Sequence, residues 1–400
     1  MEVTQDRIHS EYTIMKSVLL RAPVLSYSGY GQHSRQVLKY LLKVPNIDLK
    51  IQILQWGATP WMINPDLEGG IAGQAMQRST SIENQKFDVS IQLQLPDEWS
   101  PDVADINIGM TAGVETDKCS TTWIDQINKM TRVIVPSRHV LDTFKRTGNI
   151  TTPVDIVGES YIDEIDSTTD IFSHNFKTKF NFLIVSQITS PDPAADRKNT
   201  FTAVKTILET FKNDPDVGII LKANCGRGTE FDKVNTQNIV SSWIAEARKI
   251  SKVPIYLVHG NVSNTVMASL YRHPTVKALV TLTRGEGFGL PILEAAAAGV
   301  PVIATEWSGH LDFLKYGKFI KINHSLINVP NNKIDGRIFI EGTRWAEPDV
   351  NDFIKKLKKF RESHQAPKEW AIDLSKICKN KFSQSAIESQ YHNVIGNVFK

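Results

Sequence analysis

Apolar positions along the chain fall into short runs that alternate with segments of helical spacing. The runs are rich in β-branched residues: Val18–Leu25, Ile51–Trp56, Val89–Leu95, Val133–Val135 and Val154–Val157. Between them, Gln36–Leu42 sets Val37, Leu38, Leu41 and Leu42 on one stripe, and Trp123–Met130 reads the same way. A polar stretch, Asp163–Lys179, with Ser167, Thr168 and Thr169, then breaks the pattern and reads as a linker. Alternation resumes with strand Phe180–Ser186, helix Thr200–Phe211, strand Gly218–Lys222, helix Ile239–Lys249 and strand Ile255–His259. Helix Val262–Tyr271, strand Ala278–Leu282, helix Pro291–Ala298 and strand Val300–Ala304 follow. Near-continuous apolar strands separated by helices predict parallel sheets covered on both faces. The expected class is α/β, with two Rossmann-like, doubly wound domains, residues 1–176 and 177–380, facing a cleft. Ligands of such sheets sit at the carboxyl ends of the strands.

Length agrees with two domains, since 400 residues exceed what one core ordinarily supports. With 41% hydrophobic and 22% charged residues the composition is that of a globular protein, which excludes disorder for the chain as a whole. No apolar run reaches the ~18–20 residues that span a bilayer. The opening MEVTQDRIHSEY has no signal-peptide pattern. Cys119, Cys225 and Cys378 lie far apart without a CxxC, so neither a disulfide framework nor a zinc knuckle is expected, and a cytoplasmic location fits them. The net charge of +3 does not argue for a nucleic-acid or membrane partner, but it hides an asymmetry. Residues 1–176 hold 15 Lys/Arg and 22 Asp/Glu, a net of −7; residues 177–400 hold 31 and 21, a net of +10. A basic half suits an anionic ligand such as a diphosphate.

The most informative stretch is R-G-E-G-F-G-L-P-I-L-E-A-A-A-A-G-V-P-V-I-A, Arg284 to Ala304. A buried strand ends, a loop with Gly285, Gly287 and Gly289 follows, and Pro291 opens a helix that Gly299 stops. Free N–H groups and the positive end of the helix dipole make the mouth of this helix, at Gly287, Phe288, Gly289 and Leu290, an anion site. Glu286 stands at that mouth, and Glu294 lies one turn inside a helix that is otherwise apolar. A buried carboxylate needs hydrogen-bond donors, and sugar hydroxyls are suitable ones. Two cations, Arg197 and Lys198, precede a helix and can hold a diphosphate. Lys222 ends its own strand, and His259 and Gly260 end the next. Gly29-Tyr30-Gly31 lets a backbone come close to a ligand, and Arg35 one turn on could face the cleft. His33 and His139 read as surface histidines.

The Glu286–Glu294 spacing resembles the E-x7-E signature of retaining GT-B glycosyltransferases of family 4. The likeness extends to Gly309, His310 and Asp312, to Ser28–Arg35, to Glu115–Asp117, to Val135–Arg138 and to Arg344–Asp349, and covers most of residues 17–395. It implies the GT-B fold, with a helix in 381–400 crossing back to the first domain. It also implies a nucleotide-diphosphate sugar donor, UDP-, GDP- or ADP-linked, with no cofactor or metal required. Lys198 and Arg197 would neutralise the diphosphate, Glu286 would hold the sugar and Glu294 the ribose. Glu115 or Asp117 would contact the sugar or acceptor. Many members carry Gly-Arg after the strand where this chain has Ser186-Gln187, so Arg197 or Lys222 would stand in. The implied acceptor is a hydroxyl of a glycan or small glycoside. A modified nucleic acid stays open as acceptor, as does a binding protein that has lost catalysis.

Overall fold

The computed structural model describes residues 15–83 and 85–400; the segment read for a leader lies outside them. The first sheet is built from β1 (Lys16–Ala22), β2 (Ile47–Ile53), β3 (Phe87–Leu93), β4 (Ala104–Met110), β5 (Arg132–Val135) and β6 (Val154–Ile156). They lie in the order β2-β1-β3-β4-β5-β6, every pair parallel. The second sheet has β7 (Phe180–Gln187), β8 (Val217–Asn224), β9 (Ile255–Val258), β10 (Val276–Thr281), β11 (Val302–Thr305) and β12 (Ile320–Ile322). Its order is β12-β11-β10-β7-β8-β9, again all parallel. In each sheet the winding reverses beside the first strand, between β1 and β3 and between β7 and β10. Such switch points open a crevice at the strand ends. An antiparallel hairpin, β13 (His324–Asn328) with β14 (Arg344–Pro348), is added outside both sheets.

Where element bounds depart from the hydrophobic pattern, polar chemistry explains the difference. The helix expected from Gln36 begins at Gly29, because Ser28 caps it by accepting from the Gly31 N–H. Its first turn is turned toward a cavity and so carries no apolar stripe. The helix expected from Ile239 begins at Glu230, started by a reciprocal cap between Thr229 and Asp232. Strand β4 was not expected. It is central in its sheet, and its Asn107 is buried with bonds to Ser90 and to the carbonyls of Pro101 and Ala104. The stretch 163–179 is more than a polar tether: it contains helix Glu164–Ser167 and buries Ile165 and Phe176. Helix Gln384–Ile395 packs on helix Gly29–Leu41 of the first sheet, with Tyr391 against Tyr40 at 5.7 Å and bonded to His33 at 2.8 Å. Among the described residues, no helix is long and apolar enough to cross a membrane.

Candidate functional site

A cavity of about 510 Å³ opens at the two switch points, between loops that follow β1, β4, β7 and β10. After β1 the chain turns tightly: a Cβ on Gly31 would stand 2.0 Å from the Ser26 carbonyl oxygen, so only glycine fits. Gly29 and Tyr30 then reach the cavity wall. The Tyr30 hydroxyl meets Thr111 at 3.0 Å and accepts from the Ala112 N–H at 3.1 Å, and its ring stacks on Trp56 at 3.8 Å.

On the opposite side, Arg197 and Lys198 end the long loop after β7. Lys198 Nζ donates to both oxygens of Glu286, at 2.6 and 2.8 Å, and Arg197 stands 3.5 Å from the same carboxylate. Arg197 also donates to the Gly285 carbonyl at 2.5 Å and pairs with Glu115 at 3.2 Å. It thereby ties the two walls together. Burial pushes the Glu286 carboxyl up, but the two cations outweigh it and hold the group at about 2. Burial pulls the Lys198 ammonium down, with Glu286 opposing. Glu286 is 8% exposed, so it is no solvated loop residue. The glycines around it permit the close approach of the walls. A Cβ on Gly285 would lie 2.3 Å from the Glu115 carbonyl, and one on Gly287 2.3 Å from that of Ala112. Pro291 takes the second position of helix Leu290–Ala297, behind the left-handed Gly289. Gly287, Phe288, Gly289 and Leu290 line the cavity with it.

Several residues singled out in the sequence lie off the cavity wall. Arg35 is buried beneath the first loop, donating to the Val24 and Ser26 carbonyls and to Glu68 at 2.7 Å; it braces the loop and does not face the cleft. Asp117 clamps the hairpin, accepting from the Arg344 N–H at 2.7 Å and from its guanidinium at 2.9 Å. Lys222 donates to the Gly260 carbonyl at 2.8 Å, and burial brings its ammonium down to about 8. Of the two stand-ins for the absent Gly-Arg, Arg197 therefore lines the cavity and Lys222 does not. His259 and Gly260 stay outside with Lys222. Glu294 has both oxygens occupied within the protein, by Gln32 and by the Tyr271 hydroxyl, each at 3.0 Å. Burial lifts it to about 7 despite those two bonds.

His33 reverses its reading: it is 2% exposed, it lines the cavity, and burial pulls its imidazole down to about 4. His139 is half-buried, set edge-on against Trp307 at 5.2 Å. Glu159 and Trp56 were missed. Glu159 lines the cavity 3.8 Å from His33, and burial, with Glu286 and Glu294 adding negative charge, lifts it to about 8. Its one sequence signal is its place two residues past Val157, at the end of an apolar run. Among the described residues no three His, Cys, Asp or Glu side chains gather as a metal would need.

Residues 244–334 match the model of the family Glycosyl transferases group 1. No curated protein sequence matches the chain. Among solved structures, HepE from Anabaena, in complex with UDP and glucose, is 12% identical with a TM-score of 0.59, over 96% of this chain and 100% of that one. The glycosyltransferase of Rickettsia africae is 13% identical with a TM-score of 0.63, over 96% and 99%. Sucrose-phosphate synthase of Thermosynechococcus elongatus is 13% identical with a TM-score of 0.60, again over 96% and 99%. The chain thus has the GT-B fold, two Rossmann-like domains of parallel sheet, and its match to the glycosyl transferases group 1 model lies within the second of them.

Proposed function

We propose that the protein is a retaining, metal-independent glycosyltransferase of family 4, working in the cytoplasm. It moves a hexosyl or related sugar from a nucleoside-diphosphate sugar to an acceptor hydroxyl of a glycan or glycoside. One observation carries the reading: Arg197, Lys198 and Glu286 converge where both switch points open, beside a glycine loop that enters a helix. As the anomeric C–O bond breaks, its electron pair stays with the diphosphate. Arg197, Lys198 and the amides of Gly287–Leu290 are placed to stabilise that charge. Glu286, released from Lys198 by the arriving phosphate, is left to accept from sugar hydroxyls. The acceptor oxygen bonds to the anomeric carbon on the face the diphosphate leaves, and its proton passes to the departing phosphate oxygen. No protein nucleophile is required. Support for metal independence is that the chain's own cations stand where the charge develops.

The deciding measurement is thermal stabilisation by UDP-, GDP- and ADP-glucose, followed by release of the nucleoside diphosphate on adding glycosides. A donor at 100 times its Kd stabilises by about 2.7 kcal/mol. Absence of any shift with all three, together with no nucleotide release, would overturn the proposal.

A further inference from the structure

The hairpin β13–β14 lies outside both sheets, yet it touches both sides of the cleft. Its tip, residues 329–343, is folded on its own account. Val329 and Phe339 form a small core with Trp345, and the Asp335 carboxylate accepts from the backbone N–H groups of Arg337, Ile338 and Phe339 at 2.9, 2.7 and 3.0 Å. Toward the first domain, Arg337 donates to Asp97 at 2.5 Å and to Glu98 at 2.6 Å. Ile338 packs against the first-domain core cluster that holds Leu95 and Trp99. At the start of β14, Arg344 is joined to Asp117 through backbone and side chain together.

The same hairpin grips the loop that carries Arg197 and Lys198. The Ala346 N–H donates to the Arg284 carbonyl at 3.0 Å, and Glu347 accepts from the Arg284 guanidinium at 2.7 Å, which stands 5.5 Å from the centre of the Trp345 ring. Arg284 is buried, and its remaining donors turn to the loop. Its Nη1 donates to the Pro193 and Asp196 carbonyls at 2.9 and 2.6 Å, and its backbone N–H to the Arg197 carbonyl at 2.8 Å. Asn332 of the tip adds a bond to Asp192 at 2.7 Å. A planar guanidinium holds a carboxylate and two carbonyls at once, which the point charge of a lysine on its flexible stem does not. Neither Arg284 nor any residue of the hairpin, 324–348, lines the cavity. Their influence on it runs through the loop.

We infer that Arg284 is a positioning residue and the hairpin a strut: the contacts at Asp97, Glu98 and Asp117 are transmitted through Arg284 to the loop, so that Arg197 and Lys198 stand in place while the first domain is seated on the hairpin. Domains of one chain move against each other unless the interface between them is large and apolar, and here three acidic side chains of one domain meet two arginines of a single hairpin. Loosening that grip frees Arg284, and with it the carbonyls of Pro193, Asp196 and Arg197 that set the direction of the two cations. The inference rests on the proposed role of those cations at the donor diphosphate, but the coupling itself does not need a donor.

The test uses the full chain, first without any ligand, and reads hydrogen–deuterium exchange over residues 188–199 by mass spectrometry. Arg337 is exposed and touches neither the loop nor the cavity, so Arg337→Ala removes the tip ion pairs and leaves the fold intact. It should speed exchange in the loop about fivefold, and Arg284→Lys about tenfold. Should Arg284→Lys melt early, Arg337→Ala decides alone. Reversing the charges, Arg337→Glu with Asp97→Lys and Glu98→Lys, should return the loop toward wild-type exchange, which a purely local role of Arg337 would not allow. Whichever of UDP, GDP and ADP binds the wild-type chain should bind Arg337→Ala about three- to tenfold more weakly, because the competent arrangement is less populated. The inference is overturned if Arg337→Ala leaves exchange over 188–199 unchanged, if the reversed charges give no rescue, or if nucleotide affinity stays at the wild-type value. Failure of all three nucleotides to bind the wild-type chain would remove the donor reading instead, and the exchange result would still decide the strut.

Discussion

Replacing Glu286 by Gln removes the partner of a buried cation, and the structure sets the size of the effect. Lys198 and Glu286 meet at 2.6 Å with side chains 17% and 10% exposed, so neither is well solvated once the other is neutral. Breaking such a pair from one side costs about 3–5 kcal/mol, mostly because the remaining charge stays buried. The carboxyl gives a second route to the number. It is held at about 2 against an ordinary 4.5, a difference that corresponds to about 3 kcal/mol of stability at neutral pH. Gln keeps one oxygen for Lys198, so about 3 kcal/mol is the expected loss. The sign of its pH dependence follows from a folded pKa below the unfolded one. The contribution is complete above about pH 4.5 and is lost as pH falls toward 2. Urea unfolding followed by tryptophan fluorescence should show a wild-type advantage at pH 7 that narrows below pH 4.5. Adding Lys198→Met to Glu286→Gln should restore part of the stability, because the stranded charge is gone. In parallel, sugar transfer by Glu286→Gln should fall ~100-fold or more. Equal stability of the two proteins at pH 7, with no rescue in the double variant, would refute the ion-pair argument; wild-type turnover would refute the catalytic one.

Lys198→Ala should weaken binding of free nucleoside diphosphates by about 1.5–3 kcal/mol in calorimetry, the range of a charge-assisted hydrogen bond; unchanged binding would move the phosphate contact to Arg197. Glu294 has a folded pKa raised to about 7, so its contribution is complete below about pH 4.5 and lost as pH rises through 7. Glu294→Gln should therefore gain stability relative to wild type between pH 5 and 8, by up to about 3 kcal/mol, and a pH-independent difference in melting temperature would contradict this. Transfer should survive EDTA, and loss of activity that Mg²⁺ or Mn²⁺ alone restores would show that a metal takes part.

Strands were the most legible part of the sequence, because a strand buried on both faces is apolar over most of its length, as Phe182–Val185 is within β7. Helix starts were obscured wherever the first turn is polar for a reason of its own: the turn after Ser28 faces the cavity, and that after Thr229 faces solvent. Strand β4 was hidden because Asn107 looks like a loop residue until Ser90 and two carbonyls are seen to satisfy it. At the site, Arg197, Lys198, Glu286 and the glycine loop were readable from cations before a helix and a carboxylate at a helix mouth. Arg35, Asp117 and Lys222 carry the same charges, yet each is taken up by backbone carbonyls or a partner from a distant segment. Spacing along the chain does not reveal such pairings. Glu159 and His33 fail for the opposite reason: their surroundings come from distant segments, such as those joined by the bond of Gln384 to Gln36, 348 residues apart in sequence.

Net charge per half of the chain agrees in sign with the cavity, whose lining cations Arg197, Lys198 and Arg227 all lie in the basic half, but it does not set the field there. The −7 and +10 are spread over whole surfaces, where screening limits their reach to ~8 Å at physiological salt. The run Lys355–Arg361 illustrates this. It lies on helix Val350–Glu362, whose buried face is Phe353, Leu357 and Phe360, and none of its cations lines the cavity. Inside the cavity a few groups decide the field. Glu115 is already drawn to Arg197 at 3.2 Å, and Glu286 is held by Lys198, so the unliganded site is internally neutralised. At an effective dielectric of about 20, two unit charges 4 Å apart interact by about 4 kcal/mol, more than a distant surface charge supplies. In the proposed reaction, a diphosphate that takes Lys198 would draw it from Glu286, and the sugar entering with it would offer Glu286 new donors in exchange. The proposal thereby couples phosphate and sugar through one ion pair: the phosphate alone would leave Glu286 with Arg197, 3.5 Å away, as its remaining cation, whereas a complete donor would satisfy both ends.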